Sequence, residues 1–177
     1  WDSENLTRMI RELQPGIIIN NRASIPGDFD TPEGRIGMFQ NDRPWESCMH
    51  ICDTWSYSDT PNKSPGQVVE MLVGSLTGDG NLLMSWGQEW SGAFNRGQTG
   101  ILKEAGDWVK RNEAAIFRTR GGPWKPQEWG GSVYRDRAVY LHVPKMPDDR
   151  RLLLEGMTQK VLSAGIHGGG ALAFSQR

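Results

Sequence analysis

Leu6, Met9, Ile10 and Leu13 recur at the spacing of one helix face, and Pro15-Gly16 stops them, which predicts an amphipathic helix over residues 5–13. Ile17-Ile18-Ile19 then forms a continuous β-branched run that ends in Asn20-Asn21-Arg22. A strand apolar on both faces suits a parallel sheet covered by helices. Residues 23–44 carry no period and are rich in Pro, Gly and Asp, so they are expected to be a long loop, functional or mobile. A weaker strand is expected over 46–51. Ser64 is then a good N-cap, Pro65 sits at the first helical position, and Val68, Val69, Leu72, Val73 and Leu76 make one apolar face. Gly78 and Gly80 end that helix, and residues 81–86 read as a buried strand. Ile101, Leu102, Ala105, Trp108 and Val109 define a third helix, and residues 114–117 a further short strand.

Helix and short apolar strand thus alternate from residue 5 to about 118, the mark of βα units around a parallel sheet. After Arg120 the pattern changes. A turn-rich connector, Gly121-Gly122-Pro123-Trp124-Lys125-Pro126, leads to strand candidates at 138–143, 151–154, 160–164 and 171–174. These predict antiparallel β structure, part of a sandwich appended to the α/β region. The expected division is a partial (β/α)8 barrel over 1–120 and a partial C-terminal β-sandwich over 121–177. A closed barrel needs about 250 residues, so the α/β part is either an open sheet or the second half of a barrel. The chain begins at Trp1 without an initiator Met or signal sequence, directly in a helical pattern. It is therefore expected to be an interior piece of a longer protein, which favours the half-barrel.

Composition narrows the chemistry. Twenty Lys and Arg against 21 Asp and Glu leave a net charge of −1 with no basic cluster, so nucleic acid is not an expected partner. No apolar run reaches the roughly 18–20 residues of a membrane span. Cys48 and Cys52 would lie about 13 Å apart on a strand, too far to bridge, and are expected as two buried free thiols. No metal-ligand spacing is present. Eight Trp among 177 residues stand out, because exposed indoles suit the C–H faces of sugar rings. The C-terminal ends of the predicted strands collect Asn20, Asn21 and Arg22, then Glu33, Glu46, Trp55, Tyr57 and Trp86. Carboxylates, an Arg, amides and aromatics without a metal suit sugar binding and glycoside cleavage.

Six stretches, in order, resemble one family. They are Gln14–Arg22, Gly27–Glu33, Trp45–Cys48 with Asp53–Tyr57, Gly80–Met84, Gly106–Asn112, and Arg120–Pro126 with Tyr140–Val143. Together they resemble the second half of an α-L-fucosidase of glycoside hydrolase family 29. That resemblance implies a retaining exo-glycosidase that removes terminal α-L-fucose through a covalent glycosyl-enzyme. It uses no cofactor, acts on a fucosylated oligosaccharide or glycoconjugate, and is secreted, periplasmic or lysosomal. A non-catalytic fucose-binding protein on the same scaffold is the alternative.

The family's nucleophile is an Asp on the strand before the first helix here, so it is expected upstream of Trp1, and the 177-residue chain alone is expected to be inactive. Asp2 is the one candidate inside the chain, but it sits too close to the helix and is better read as its N-cap. By motif position, Glu33 and Glu46 both match carboxylates that serve as acid/base. Glu33 is favoured, since its Pro/Gly loop can reach over a pocket, whereas Glu46 would pair with an Arg. Arg22 matches a sugar-contacting Arg, with Asn21 beside it where the family has an acid, and Trp55 and Tyr57 match the aromatic segment near the pocket. A rim salt bridge is the other role open to Arg22. His50, His142 and His167 are expected to be structural. Residues 83–88 and 112–117 depart from the family pattern. Asn5-Leu6-Thr7 and Asn62-Lys63-Ser64 match the N-glycosylation pattern.

Overall fold

The computed structural model describes residues 1–58 and 63–176. Asn62 of the second glycosylation motif therefore lies outside the described residues. Three α-helices are described, α1 (Ser3–Leu13), α2 (Pro65–Thr77) and α3 (Arg96–Arg111), with strands β1 (Glu46–His50), β2 (Asn81–Ser85), β3 (Arg120–Gly121), β4 (Gly131–Arg135) and β5 (Ala138–His142). No helix among the described residues is long and apolar enough to cross a membrane.

The α/β expectation holds at its centre. β1 and β2 pair in parallel with Glu46 opposite Asn81, Cys48 opposite Leu83 and His50 opposite Ser85, and α2 connects them. α2 begins where its sequence says it must. The Ser64 hydroxyl accepts from the Gln67 amide and the Gln67 side chain accepts from the Ser64 amide, a closed capping box with Pro65 behind it. Along β1 the burial alternates, with Trp45, Ser47 and Met49 buried on one side and Glu46, Cys48 and His50 half-buried on the other.

Trp45 is the centre of this layer at 2% exposure. Its indole lies flat against three backbone positions that tolerate no side chain. A Cβ at Gly80 would come within 2.2 Å of it, one at Gly37 within 2.8 Å and one at Gly78 within 2.9 Å. Its Nε1 donates to the Gln40 carbonyl at 3.3 Å, and the Gln40 amide donates to Gly78 at 3.1 Å. The 23–44 segment is thereby sewn to the α2 terminus.

Residues 28–34 of that segment lie parallel to β1, as the isolated bridges Asp30–Trp45 and Glu33–Cys48 show. Asp30 donates to Pro44, Glu46 to Asp30, Cys48 to Pro32 and Gly34 to Cys48. Pro32 has no donor of its own and two Asp interrupt any apolar period, so the sequence pattern reads as loop.

Other expectations need correction. Ile17–Ile19 is no ladder strand: Asn20 alone bridges to Phe29, and Ile18 is 72% exposed. The 28–34 segment meets it at its end, through Asp28 on Ile19 and the Asn20–Phe29 bridge. Residues 114–117 are not a strand either. Glu113–Ala115 forms a 3-10 turn, and the Phe117 amide donates to Glu113, so Ala115 and Ile116 are buried without a sheet. Cys48 is half-buried, only Cys52 fully so, and both are free.

The connector at 121–126 leads into an antiparallel sheet in the order β3-β4-β5. β4, which the pattern did not reveal, pairs with β5 across a two-residue turn in which Asp136 takes φ 55°, the left-handed conformation such hairpins require. β3 and β4 pack on α2, so this sheet belongs to the same compact unit, Trp1–Lys145, although it follows residue 120. His142 is buried there, its Nε2 3.2 Å from the Ala115 carbonyl, and burial holds its pKa below the ordinary histidine value. The second unit, Met146–Arg177, has its own short pairing at Gly165–Ala171. The strands expected at 151–154, 160–164 and 171–174 are not formed. Leu153, Leu162 and Ile166 are 60–82% exposed, so their alternation meets no second apolar face.

Candidate active site

Two of the expected site residues come together directly. Arg22, in a 3-10 turn Asn21–Ala23 capped by the Asn20 side chain, places its Nη2 3.1 Å from Glu33 Oε2, with both side chains about half exposed. The same guanidinium donates from Nε to the Thr31 hydroxyl and from Nη2 to the Thr31 carbonyl, each at 2.7 Å. Thr31 in turn donates to Asn21 Oδ1 at 2.8 Å, and Asn21 Nδ2 donates to Asp30 at 3.2 Å. Asn21 and Arg22 are therefore oriented by the 28–34 segment. The carboxylate that pairs with an Arg is Glu33, whereas the Glu46 carboxylate makes no hydrogen bond or ion pair among the described residues.

Both carboxylates flank Cys48. Glu33 bridges to that residue, Glu46 precedes it by two on the same strand face, and the thiol pKa is raised by burial and by the charges of Glu33 and Glu46. The geometry thus gathers two acids and one guanidinium on the face of β1 that turns away from α2.

Deeper in the network are residues to which sequence reasoning gave no role. Asp30 takes Gln40 Nε2 at 3.1 Å and Arg43 Nε at 3.0 Å, and those hydrogen bonds hold its pKa below the ordinary carboxylate value. Asp28 accepts from the Ile19 amide at 2.7 Å and from Arg11 Nη2 at 2.8 Å, which lowers its pKa as well. Arg43 also donates to the Pro26 and Gly27 carbonyls. The acids at 28 and 30, with Arg at 11 and 43, were the available signal, but nothing in a sequence pairs residues 13 or 17 apart.

Trp55 and Tyr57 lie just past the C-terminal end of β1, 45% and 38% exposed. The Trp55 ring meets His50 edge-on at 4.8 Å, and His50 also contacts the Cys52 carbonyl and Lys63 Nζ. His50 thus holds the aromatic turn in place. The backbone at Tyr57 is pressed against Gly87, where a Cβ would come within 2.4 Å of its Cα. Asp2 sits at the N-cap of α1, but its carboxylate accepts from the Asn5 side chain instead of capping a backbone amide. A shallow surface hollow of about 420 Å³ between α2 and α3 contains none of the expected site residues.

Comparison with known proteins identifies relatives of the chain. The α-L-fucosidase family model matches residues 1–114. Plasma α-L-fucosidase of Homo sapiens is 30% identical over 132 residues, which is 68% of this chain and 28% of the relative. The chain thus spans a little over a quarter of the length of that curated relative. Among solved structures, α-L-fucosidase isoenzyme 1 from Paenibacillus thiaminolyticus superposes with a TM-score of 0.75 at 29% identity, covering 84% of this chain and 39% of that one. The α-L-fucosidase of family GH29 from Bacteroides thetaiotaomicron gives 0.86 at 21% identity, over 99% of this chain and 47% of that one, and was trapped as a covalent intermediate. On the sequence match and the shared fold, this chain belongs to the α-L-fucosidase family.

Proposed function

We propose that the protein carrying this chain hydrolyses terminal α-L-fucose from glycans with retention of configuration, and that the chain supplies the acid/base side of the site. In this reading β1, β2 and the 28–34 segment are parallel strands of a (β/α)8 barrel, whose inward face bears Glu33, Glu46 and Cys48, and the β3-β4-β5 sheet with the residues after it leads into the sandwich. The nucleophilic Asp lies upstream of Trp1, so the 177 residues alone are inactive. Export or delivery to a lysosome fits an enzyme acting on glycoconjugates.

The observation that carries the assignment is the contrast between the two carboxylates. Glu33 is committed to Arg22. The Glu46 carboxylate is half-buried and has no side-chain partner among the described residues, which leaves it free to meet the glycosidic oxygen. Glu46 is therefore the acid/base, and Glu33 positions Arg22 and Asn21 toward the sugar hydroxyls, with Trp55 and Tyr57 against its apolar face. After the leaving group departs, Glu46 as the carboxylate takes a proton from the water that cleaves the glycosyl-enzyme. A relative trapped as a covalent intermediate in a glutamate-to-glutamine variant supports the two-step course.

The test uses the complete protein and an aryl α-L-fucoside, with Glu46→Ala and Glu33→Ala side by side. An aryl leaving group needs little acid assistance, so Glu46→Ala is expected to slow deglycosylation by about 10²–10⁴-fold and to regain rate with added azide. Glu33→Ala is expected to raise KM without azide rescue. Rescue of Glu33→Ala in place of Glu46→Ala reverses the assignment. A wild type that binds fucose and cleaves no fucoside leaves the sugar-binding alternative.

A further inference from the structure

Directly after β2 the chain departs from the family pattern and builds a small aromatic arm. Gln88 bridges antiparallel to Phe94, the Glu89 amide donates to Ala93 at 2.9 Å, and the Gly92 amide donates back to Glu89 at 2.8 Å. Gly92 takes φ 82°, a conformation glycine enters without penalty, and so closes the turn. At the tip stands Trp90, 99% exposed.

The base of the arm is fixed from three sides. Trp86 meets Phe94 edge-on at 5.4 Å, Gly87 lies against the Tyr57 backbone, and Asn95 caps α3 through the Gly97 and Gln98 amides. A fully solvated indole on an anchored hairpin loses little freedom when a flat ligand stacks on it. Its neighbours are Gln88, Glu89 and Ser91, polar groups that suit a hydroxyl-bearing ligand and are poor material for the apolar centre of a protein interface.

Position selects which sugar. Glu33 is level with Cys48, and Cys48 with Leu83 on β2, two strand spacings or about 10 Å across the sheet. The arm starts only after β2 has ended, five residues beyond Leu83. That separation exceeds one pyranose ring, so Trp90 stands beyond a fucose held at Arg22 and Glu33.

We infer that the Gln88–Phe94 hairpin is a second carbohydrate platform, on which Trp90 stacks a sugar ring of the glycan that carries the fucose. The inference rests on the fucosidase reading for its connection to catalysis, and the arm makes this enzyme one for extended oligosaccharides.

The experiment compares Trp90→Ala and Trp90→Phe with wild type in the complete protein on two substrates. α-L-Fucosyl fluoride has no second ring, and kcat/KM for it is expected to stay within about twofold. For a fucosylated tetrasaccharide, kcat/KM of Trp90→Ala is expected to fall about tenfold, through KM, with Trp90→Phe recovering most of it. Equal losses on both substrates, or none on either, overturn the platform while leaving the fucosidase reading intact. If wild type cleaves neither substrate, that reading fails, and titration with the defucosylated oligosaccharide followed by indole fluorescence decides the platform alone. A response lost in Trp90→Ala upholds it, and no response in wild type overturns it.

Discussion

The layer of β1, α2 and β2 and the segment from Asn20 to Arg43 lie side by side and are held by opposite means. In the layer, Trp45, Met49, Val68 and Val73 are buried, and its backbone comes so close to the Trp45 indole that glycine is required at 78 and 80. In the segment no residue is fully buried, and it is fastened by Arg11–Asp28, Arg43–Asp30 and Arg22–Glu33. Apolar burial is non-directional, but at close packing it yields a stiff frame. Charged pairs fix particular atoms and contribute little each when half exposed. A site that must present polar groups to a sugar needs the second kind of tie, standing on the first.

The contrast is broken most strongly at Trp45. Trp45→Ala is expected to cost about 3–5 kcal/mol, because the indole fills the space between three glycines that cannot close onto a methyl group. Gly80→Ala should cost about 1–3 kcal/mol by overpacking the same contact. Urea unfolding of the complete protein measures both, and a loss under about 1 kcal/mol for Trp45→Ala would show that burial does not dominate the layer.

A smaller effect is expected at Asp79, where a charge is used inside the frame. Its side chain is 4% exposed, it accepts Arg120 Nη2 at 2.6 Å and the Gly121 amide at 2.6 Å, and its backbone has φ 66°. Asp79→Ala loses the charged hydrogen bonds and adds left-handed strain, about 2–3 kcal/mol by the same measurement. Asp79→Asn keeps the backbone conformation and one acceptor, so it should lose less than half as much. Equal losses would assign the effect to charge alone.

The smallest effect is in the polar segment and depends on pH. Asp28 and Asp30 have folded pKa values below their unfolded ones, so the stability they add is complete above the unfolded carboxylate value. It drains as pH falls through the lower folded values. Hydrogen exchange at the Ile19 amide, which donates to Asp28, should therefore accelerate below about pH 4, relative to its intrinsic rate, before α2 amides respond. Asp28→Asn should remove that step. An unchanged step in the variant would place the titration elsewhere.

Elements with strong local codes were legible in the sequence. α2 starts at Ser64-Pro65 because capping and proline geometry act within four residues, and β2 follows the glycines that end it. The reading failed where structure comes from distant partners. Residues 28–34 lie along β1 despite Pro32, since the Pro32 and Asp30 carbonyls accept and the neighbouring strand donates. Ile17–Ile19 and residues 151–154 have strand composition without a facing partner, and composition cannot supply one. Of the candidate site, Arg22, Glu33 and Glu46 were recognisable from motif order, but which carboxylate meets Arg22 was not: that depends on the fold of the intervening loop.

The sequence by itself determined the β1-α2-β2 unit, the capped start of α2 and membership in a fucosidase family. These are carried by neighbours in the chain or by ordered motifs. Tertiary structure alone decided that Arg22 pairs with Glu33, that Asp28 and Asp30 anchor the loop, and that Trp90 stands clear of the described residues. Each of those depends on segments brought together from 9 to 17 residues apart, or on what fails to cover a side chain, and neither is written in local pattern.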